Sequence, residues 1–502
     1  MSDDSGLAAS ERATMRSLPP IRTAATIAYS SGAILDGAAT QAVNLFLFFY
    51  ATAVCGMPAA LVGAALAVGL LVDAVVDPLI GSLSDGWRSR FGRRLPFMML
   101  GVPGTMLFLA IIFALPRGWS VPALTAWLVA GSIGLRVSIS LFLLPYNAVG
   151  AELSDDYEER SAIAAWRWGI AMLGGVITIA LGFGVFMSGP TGLSNRAAYL
   201  PFALTLGAII AIFTLVSMRA LYAMPERQHA PTRSEGLMRA RLWRELGELF
   251  RNQSFRTLFA GALLLFTSSA IHATLAIHAN TYFWRMQPAQ IQTVTLALFL
   301  GLLCGAPFAG PVLRRLEKRT VLIAGIAGLA AAFSLPATAR LVGMLPVEGG
   351  PPVAILAGAV FVGGTMLAMA AIAFASMMAD AADEHEYLFG ARREGLYFAG
   401  WAFASKAALG VGSLIAGVAV QLIDMPSGAA VHGGAAAAVA LPPRATMWIG
   451  IIYGPGTGLL AFAACLVCLF YRLDAGRHRA ILAELTTRRL PPVPPIDAVA
   501  VI

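Results

Sequence analysis

The 502 residues are 58% hydrophobic and only 12% charged, with a mean hydropathy of +0.75, a usage that excludes an ordinary soluble domain. The net charge of +8 does not call for nucleic acid, because the arginines are spread over the ends of apolar runs instead of lining one soluble face. Those runs, at about 20 residues or more each, predict an all-α membrane protein with twelve transmembrane helices.

In chain order the spans fall near Thr23 to Val54, Pro58 to Leu83, Leu95 to Leu115, Val121 to Val149, Ile163 to Met187 and Tyr199 to Leu221. A second set follows near Leu258 to Phe283, Ile291 to Leu313, Val321 to Leu341, Pro352 to Met378, Gly395 to Ile423 and Thr446 to Tyr471. Of the 35 Lys and Arg, 27 lie in the tails and in the loops after even-numbered spans, which places both termini in the cytoplasm. The division is a tail (1–22), a six-helix bundle (23–222), a linker (223–254), a second bundle (255–472) and a closing tail (473–502). Residues 1–20 have acids at the front and no apolar core, so they read as a tail and not a cleaved signal.

The first span carries Asp36, Thr40 and Asn44 at every fourth residue, one polar stripe that predicts a cavity-facing side. A carboxylate at membrane depth is costly, so Asp36 reads as functional, whereas Thr40 and Asn44 can serve helix packing alone. The second span ends in DAVVDPLIGSLSDGWRSRFGRRLP, with Asp73 and Asp77 one turn apart on one face. Two such carboxylates ask for a cation. Beyond them Asp85 faces Arg88, Arg90, Arg93 and Arg94 in a short loop, as a membrane anchor, a charge latch between helix ends, or both.

Ser138 and Ser140 in the fourth span either complete an oxygen shell for a hard cation or bond back to their own helix. Pro145 breaks the helical pattern there. An acidic turn at Glu152, Asp155 and Asp156 precedes Arg160, and Arg167 then lies between Trp166 and Trp168. Arg167 either snorkels to the interface or enters the cavity to hold an anion or hydroxyls. In the linker, Leu242, Leu246, Leu249 and Phe250 oppose Arg239, Arg241 and Arg244, the pattern of an amphipathic helix on the membrane face. His272 and His278 point to different faces and do not share a metal. Cys465 and Cys468 read as small packing residues.

The halves repeat. D-P-L-I-G at 77–81 matches A-P-F-A-G at 306–310, and Glu152-x-x-Asp155-Asp156 matches Asp380-x-x-Asp383-Glu384, at offsets of 229 and 228. A duplicated six-helix unit with its site at the midplane between halves is a transporter's plan. Ala306 and Leu302 stand where the first half has Asp77 and Asp73, so the cation site belongs to the first half. The second half supplies the loop with Arg392 and Arg393 and, about three turns into the eleventh span, Lys406. In the empty carrier its ammonium pairs with Asp73 or Asp77, and a bound cation displaces it.

DAVVDPLIGSLSDGWRSRFGRRLPF, LPYNAVGAELSDDYEERSAIAAWRW and MADAADEHEYLFGARREGLYFAGWAFASK together resemble the glycoside-pentoside-hexuronide:cation symporters, the melibiose-permease-like family of the major facilitator superfamily. The resemblance runs from about Ala25 to Arg472. It implies alternating access by twelve helices, Asp73 and Asp77 as ligands of Na+, H+ or Li+, Ser140 as their hydroxyl partner and Lys406 beside them. It implies Asp36 and Arg167 as substrate contacts, with Lys406 counted in the substrate site. One departure is Leu143, where the melibiose-transporting relative has an aspartate that holds sugar hydroxyls, so galactoside specificity does not carry over.

The expectation is therefore a monomeric symporter of a sugar or glycoside driven by Na+ or H+, in a bacterial inner membrane, with no other cofactor or metal. Asp85, Arg93, Arg94, Glu152, Arg160, Asp380 and Arg393 form its gating charges. The alternatives are an amphipathic lysophospholipid as cargo, or a non-transporting sensor on the same architecture. An enzyme is not expected, since no HExxH, GxSxG or Walker pattern occurs.

Overall fold

The computed structural model describes residues 21–87, 89–154, 156–224, 247–347, 350–391, 393–423 and 441–489. The expectations for Arg88, Asp155, Arg392 and most of the linker helix (225–246) lie outside them. Eleven helices among the described residues are long and apolar enough to cross a membrane: α2 (Ala59–Gly86), α3 (Leu95–Ile112), α4 (Val121–Glu152), α5 (Tyr157–Ile179), α6 (Arg196–Tyr222), α7 (Gln253–His278), α8 (Pro288–Arg315), α9 (Lys318–Leu341), α10 (Val353–Phe389), α11 (Glu394–Leu422) and α12, which runs Pro443–Ile451, Ile452–Gly456, Thr457–Cys468. The twelfth, α1, is a continuous helical run assembled from Thr23–Ser30, Ser31–Ala33, Ile34–Ala42, Val43–Leu47 and Tyr50–Val54, with one tight segment and two wide ones. Such local changes of pitch free backbone groups without leaving the helix.

Local chemistry sets several boundaries. Asp156, Asn195 and Asn252 accept a hydrogen bond from the first turn of α5, α6 and α7. Gly390, with φ 76°, ends α10 in the left-handed region that a glycine occupies at least cost. Pro145 does not end α4, contrary to the sequence pattern: the helix runs through it to Glu152. A proline inside a membrane helix forfeits one backbone bond, which surrounding helices tolerate. Pro78 of α2 and Pro307 of α8 sit at matching positions of the two halves.

The halves touch along one end of the bundle, the face opposite the two termini. A Cβ on Gly63 of α2 would stand 2.5 Å from the carbonyl oxygen of Ser413 in α11, and one on Gly417 would stand 2.5 Å from that of Ala59. The Ala60 N–H donates to Gln421 (3.0 Å), and Thr52 meets His278 at 3.1 Å. At the terminal face the contacts fall away: a Cβ on Gly81, Gly86, Gly310 or Gly395 would meet nothing within 4 Å. The halves are thus in tight contact at the end opposite the termini and more loosely packed at the terminal end.

Charged clusters tie helix ends together within each half. Arg94 bridges Asp85 (2.9 Å) and Glu152 (2.8 Å), and Arg93 adds a bond to Glu152 at 2.7 Å. In the second half Lys318 holds Asp380 at 2.6 Å. The tail is structured in part: α13 (Ala475–Arg489) docks on the end of α10, with His478 at 3.1 Å from Asp383, Arg477 at 3.4 Å from Glu384, and Ile481 and Leu485 buried. Arg160 and Arg393 lie at the starts of α5 and α11.

Candidate functional site

Where the halves meet at mid-height, three helices converge their polar side chains. Asp73 and Asp77 project from one face of α2, Ser140 from the middle of α4, and Lys406 from α11 of the other half. The Ser140 hydroxyl lies 2.9 Å from Asp73 Oδ1 and 2.6 Å from Asp77 Oδ1. Lys406 Nζ is 3.0 Å from Asp73 Oδ2 and also bonds Asp77 Oδ2. Asp73 and Ser140 are buried, whereas Lys406 is about a third exposed, so the cluster is accessible from the Lys406 side.

The geometry has a chemical meaning. A hydroxyl has one hydrogen, yet Ser140 lies within bonding distance of two carboxylate oxygens, so it serves only one of them as donor. Three oxygens thus surround one small space. A proton or a compact, hard cation there satisfies all three, and the ammonium from the opposite half already neutralises the outer oxygens.

On α1 Asp36 is exposed although its neighbours Ile34, Leu35, Ala38 and Ala39 are buried, and Thr40 donates to it at 3.3 Å. Arg167 of α5 packs against the last turns of α4: it donates to Asn147, lies 4.8 Å above the Tyr146 ring and leaves its buried Nε without a hydrogen-bond partner among the described residues. Gly150 makes room for it, since a Cβ there would come within 2.7 Å of the guanidinium. Trp166 and Trp168 flank it and are more than 40% exposed. Asp36 feels the charges of Arg136, Arg167 and Lys406.

Arg136 is the residue that sequence reasoning missed. No motif marks it, although it stands one turn before Ser140 on the same face of α4. The charges of Asp36, Asp73 and Asp77 all act on it. The two histidines take no part: His272 stacks between Phe333 and Tyr453, and His278 packs on Phe48 and Phe49. Ser138 bonds back to Gly134 at 2.7 Å, the plain helical alternative.

Residues 28–475 match the protein family described as MFS/sugar transport protein. The chain belongs to that family. Among curated relatives of these symporters, it is 32% identical over 160 residues to an uncharacterized symporter of Synechocystis sp., a stretch covering 31% of this chain and 29% of that protein. It is 25% identical over 479 residues to the glucuronide carrier protein homolog of Escherichia coli, covering 92% of this chain and 95% of the relative. The fold is similar to the crystal structure of a D-xylose-proton symporter, with a TM-score of 0.58 at 15% identity over 88% of this chain and 96% of that one. The glycoside-pentoside-hexuronide:cation branch is the part of the superfamily to which the chain is assigned, and its relatives are transporters.

Proposed function

We propose that the protein is a monomeric cation-coupled symporter of a sugar or glycoside, working by alternating access in a bacterial inner membrane with both termini in the cytoplasm. The observation that carries this reading is the oxygen cluster of Asp73, Asp77 and Ser140 in one half, capped by Lys406 from the other. Na+ or H+ enters that cluster and releases Lys406. The freed ammonium and the vacated face of the cavity then favour cargo, held at Asp36 and Arg167 with its ring against the exposed tryptophans. Ion and cargo each raise the affinity for the other, and the halves rock about the midplane to open the site on the opposite side.

With cytoplasmic termini, the tight packing of the halves at the opposite end supports reading the described conformation as open to the cytoplasm. Arg93, Arg94, Asp85 and Glu152, with Lys318 and Asp380, keep each half rigid during the rocking, and the tight glycine contacts between α2 and α11 form the seal that must part. All the groups needed come from one chain, and no covalent chemistry is involved. The family match favours a sugar over the amphipathic lipid or the sensor.

The test is uptake of labelled glycosides into proteoliposomes under imposed Na+ or H+ gradients. The expected result is gradient-dependent accumulation that Asp77→Asn abolishes while protein yield is kept. Normal ion coupling in that variant would sink the assignment.

A further inference from the structure

At the end of the molecule that carries both termini, a cleft lies between the first turns of α9 and the end of α12, away from the midplane cluster. It has a volume of about 1050 Å³ and is lined by Arg319, Thr320, Ile323 and Ala324 of α9 and by Leu469 and Arg472 just past α12. One wall is apolar. Leu469 and the neighbouring Phe470 are 49% and 65% exposed at the end of a spanning helix, a position at which such side chains call for lipid around them.

The rest of the lining is basic. Arg319 donates to the Leu469 carbonyl at 2.6 Å, which fixes its guanidinium over the end of α12 and uses one of its five donors. Arg472 has no hydrogen-bond or ion-pair partner among the described residues. A second cavity of about 350 Å³ adjoins the cleft and shares Glu317, Arg319, Leu473 and Asp474 with it. Arg314, Arg315, Lys318, Arg319, Arg472 and Arg479 line the pair against three acids, an excess of three positive charges. Two of the acids are already engaged: Asp380 is held by Lys318 at 2.6 Å, and Asp474 accepts the backbone N–H of Arg477 at the start of α13 (2.7 Å).

We propose that the cleft between α9 and α12 is a binding site for an anionic membrane phospholipid, with the phosphate held by Arg319 and Arg472 and the upper chain carbons against Ile323, Ala324 and Leu469. A guanidinium offers paired donors that match two phosphate oxygens, and the Thr320 hydroxyl adds a third direction. The surplus of positive charge favours a head group with net negative charge over a zwitterionic one, whose own ammonium cancels the phosphate. The volume suits a head group with the first carbons of its chains. A free anion would use the arginines and leave the apolar wall bare, whereas a lipid covers both. Seated there, it ties the start of α9 to the end of α12.

The experiment is native mass spectrometry of the full chain, released from detergent after titration with dioleoyl phosphatidylglycerol or dioleoyl phosphatidylcholine, which differ only in the head group. Wild type is expected to retain its first phosphatidylglycerol about tenfold or more in preference to phosphatidylcholine. In R319Q/R472Q that ratio falls toward one. Because Arg319 also supports the end of α12, R472Q alone serves if the double variant does not fold; its side chain has no partner to lose, and the ratio should fall by about threefold or more. R117Q, at the opposite end of the bundle, should keep the wild-type ratio. Equal retention of the two lipids by wild type, an unchanged ratio in R472Q, or an equal fall in R117Q overturns the site. Excess inorganic phosphate should leave the lipid bound, and its displacement by phosphate would overturn the assignment to a lipid.

Discussion

The two halves of the molecule share a backbone plan and divide its chemistry. Both have a long second helix interrupted by a proline, Pro78 in α2 and Pro307 in α8, and both tie their helix ends with a basic residue on an acid. Only α2 carries carboxylates at the midplane. Their counterparts are Leu302 and Ala306, and the second half answers instead with a single ammonium on α11. A duplicated scaffold that put the same charge on both sides would repel itself. Opposite charges across the interface make each half the other's counter-ion, so the interface itself becomes sensitive to what is bound.

The largest effect should come from breaking the first half's contribution. Asp77→Asn is expected to lower gradient-driven uptake by about 100-fold or more, measured as initial rates in proteoliposomes; it removes one of the two negative charges of the cluster and one of the two partners of Lys406. Removing the second half's contribution acts in the other direction on the ion. Lys406→Gln leaves the carboxylates without a competitor, so cation affinity should tighten by about tenfold in calorimetry while cargo uptake falls, and unchanged affinity would show that the ammonium does not compete.

Gly417→Val sharpens the comparison at the seal. A side chain there collides with the Ala59 carbonyl, so the bundle should shift toward the conformation open on the opposite face, with uptake reduced by about tenfold. Labelling of cysteines placed in the cavity, from each side of the membrane, reads the shift. The smallest effects belong to the latches. Glu152→Gln removes a charge shared by Arg93 and Arg94, of which Arg94 keeps Asp85, and should cost about 1–2 kcal/mol in unfolding. Asp380→Asn, whose lysine is 36% exposed, should cost about half of that or less.

Much of this arrangement was legible in the sequence because charge inside an apolar run has few acceptable explanations. Asp73 and Asp77 had to face a partner, and Lys406, three turns into a span, had to do the same; that they meet is a fact of the fold. Arg136 was passed over because an arginine in a span looks the same whether it reaches for the interface or the cavity. Only the rotation of α4, fixed here by Ser140, separates the two. Arg167 poses the same question, and its neighbours Asn147, Tyr146 and Gly150 all belong to the last turns of α4. Lys318 with Asp380, and His478 with Asp383, join residues about 60 and 95 apart in the chain, a distance at which spacing carries no signal. Pro145 misled because a rule drawn from soluble helices was applied to a membrane one.

The bridging lysine also bears on wasteful ion leakage. With nothing bound, Lys406 neutralises the outer oxygens of Asp73 and Asp77, and no bare carboxylate is dragged across the apolar barrier as the carrier resets. With the ion alone bound, the ammonium is evicted and left without a counter-charge until cargo arrives, which raises the barrier to rearrangement. Uncoupled slippage is thereby held down by one side chain. Vesicles without cargo should show background ion flux with the wild-type protein and a measurable leak with Lys406→Gln.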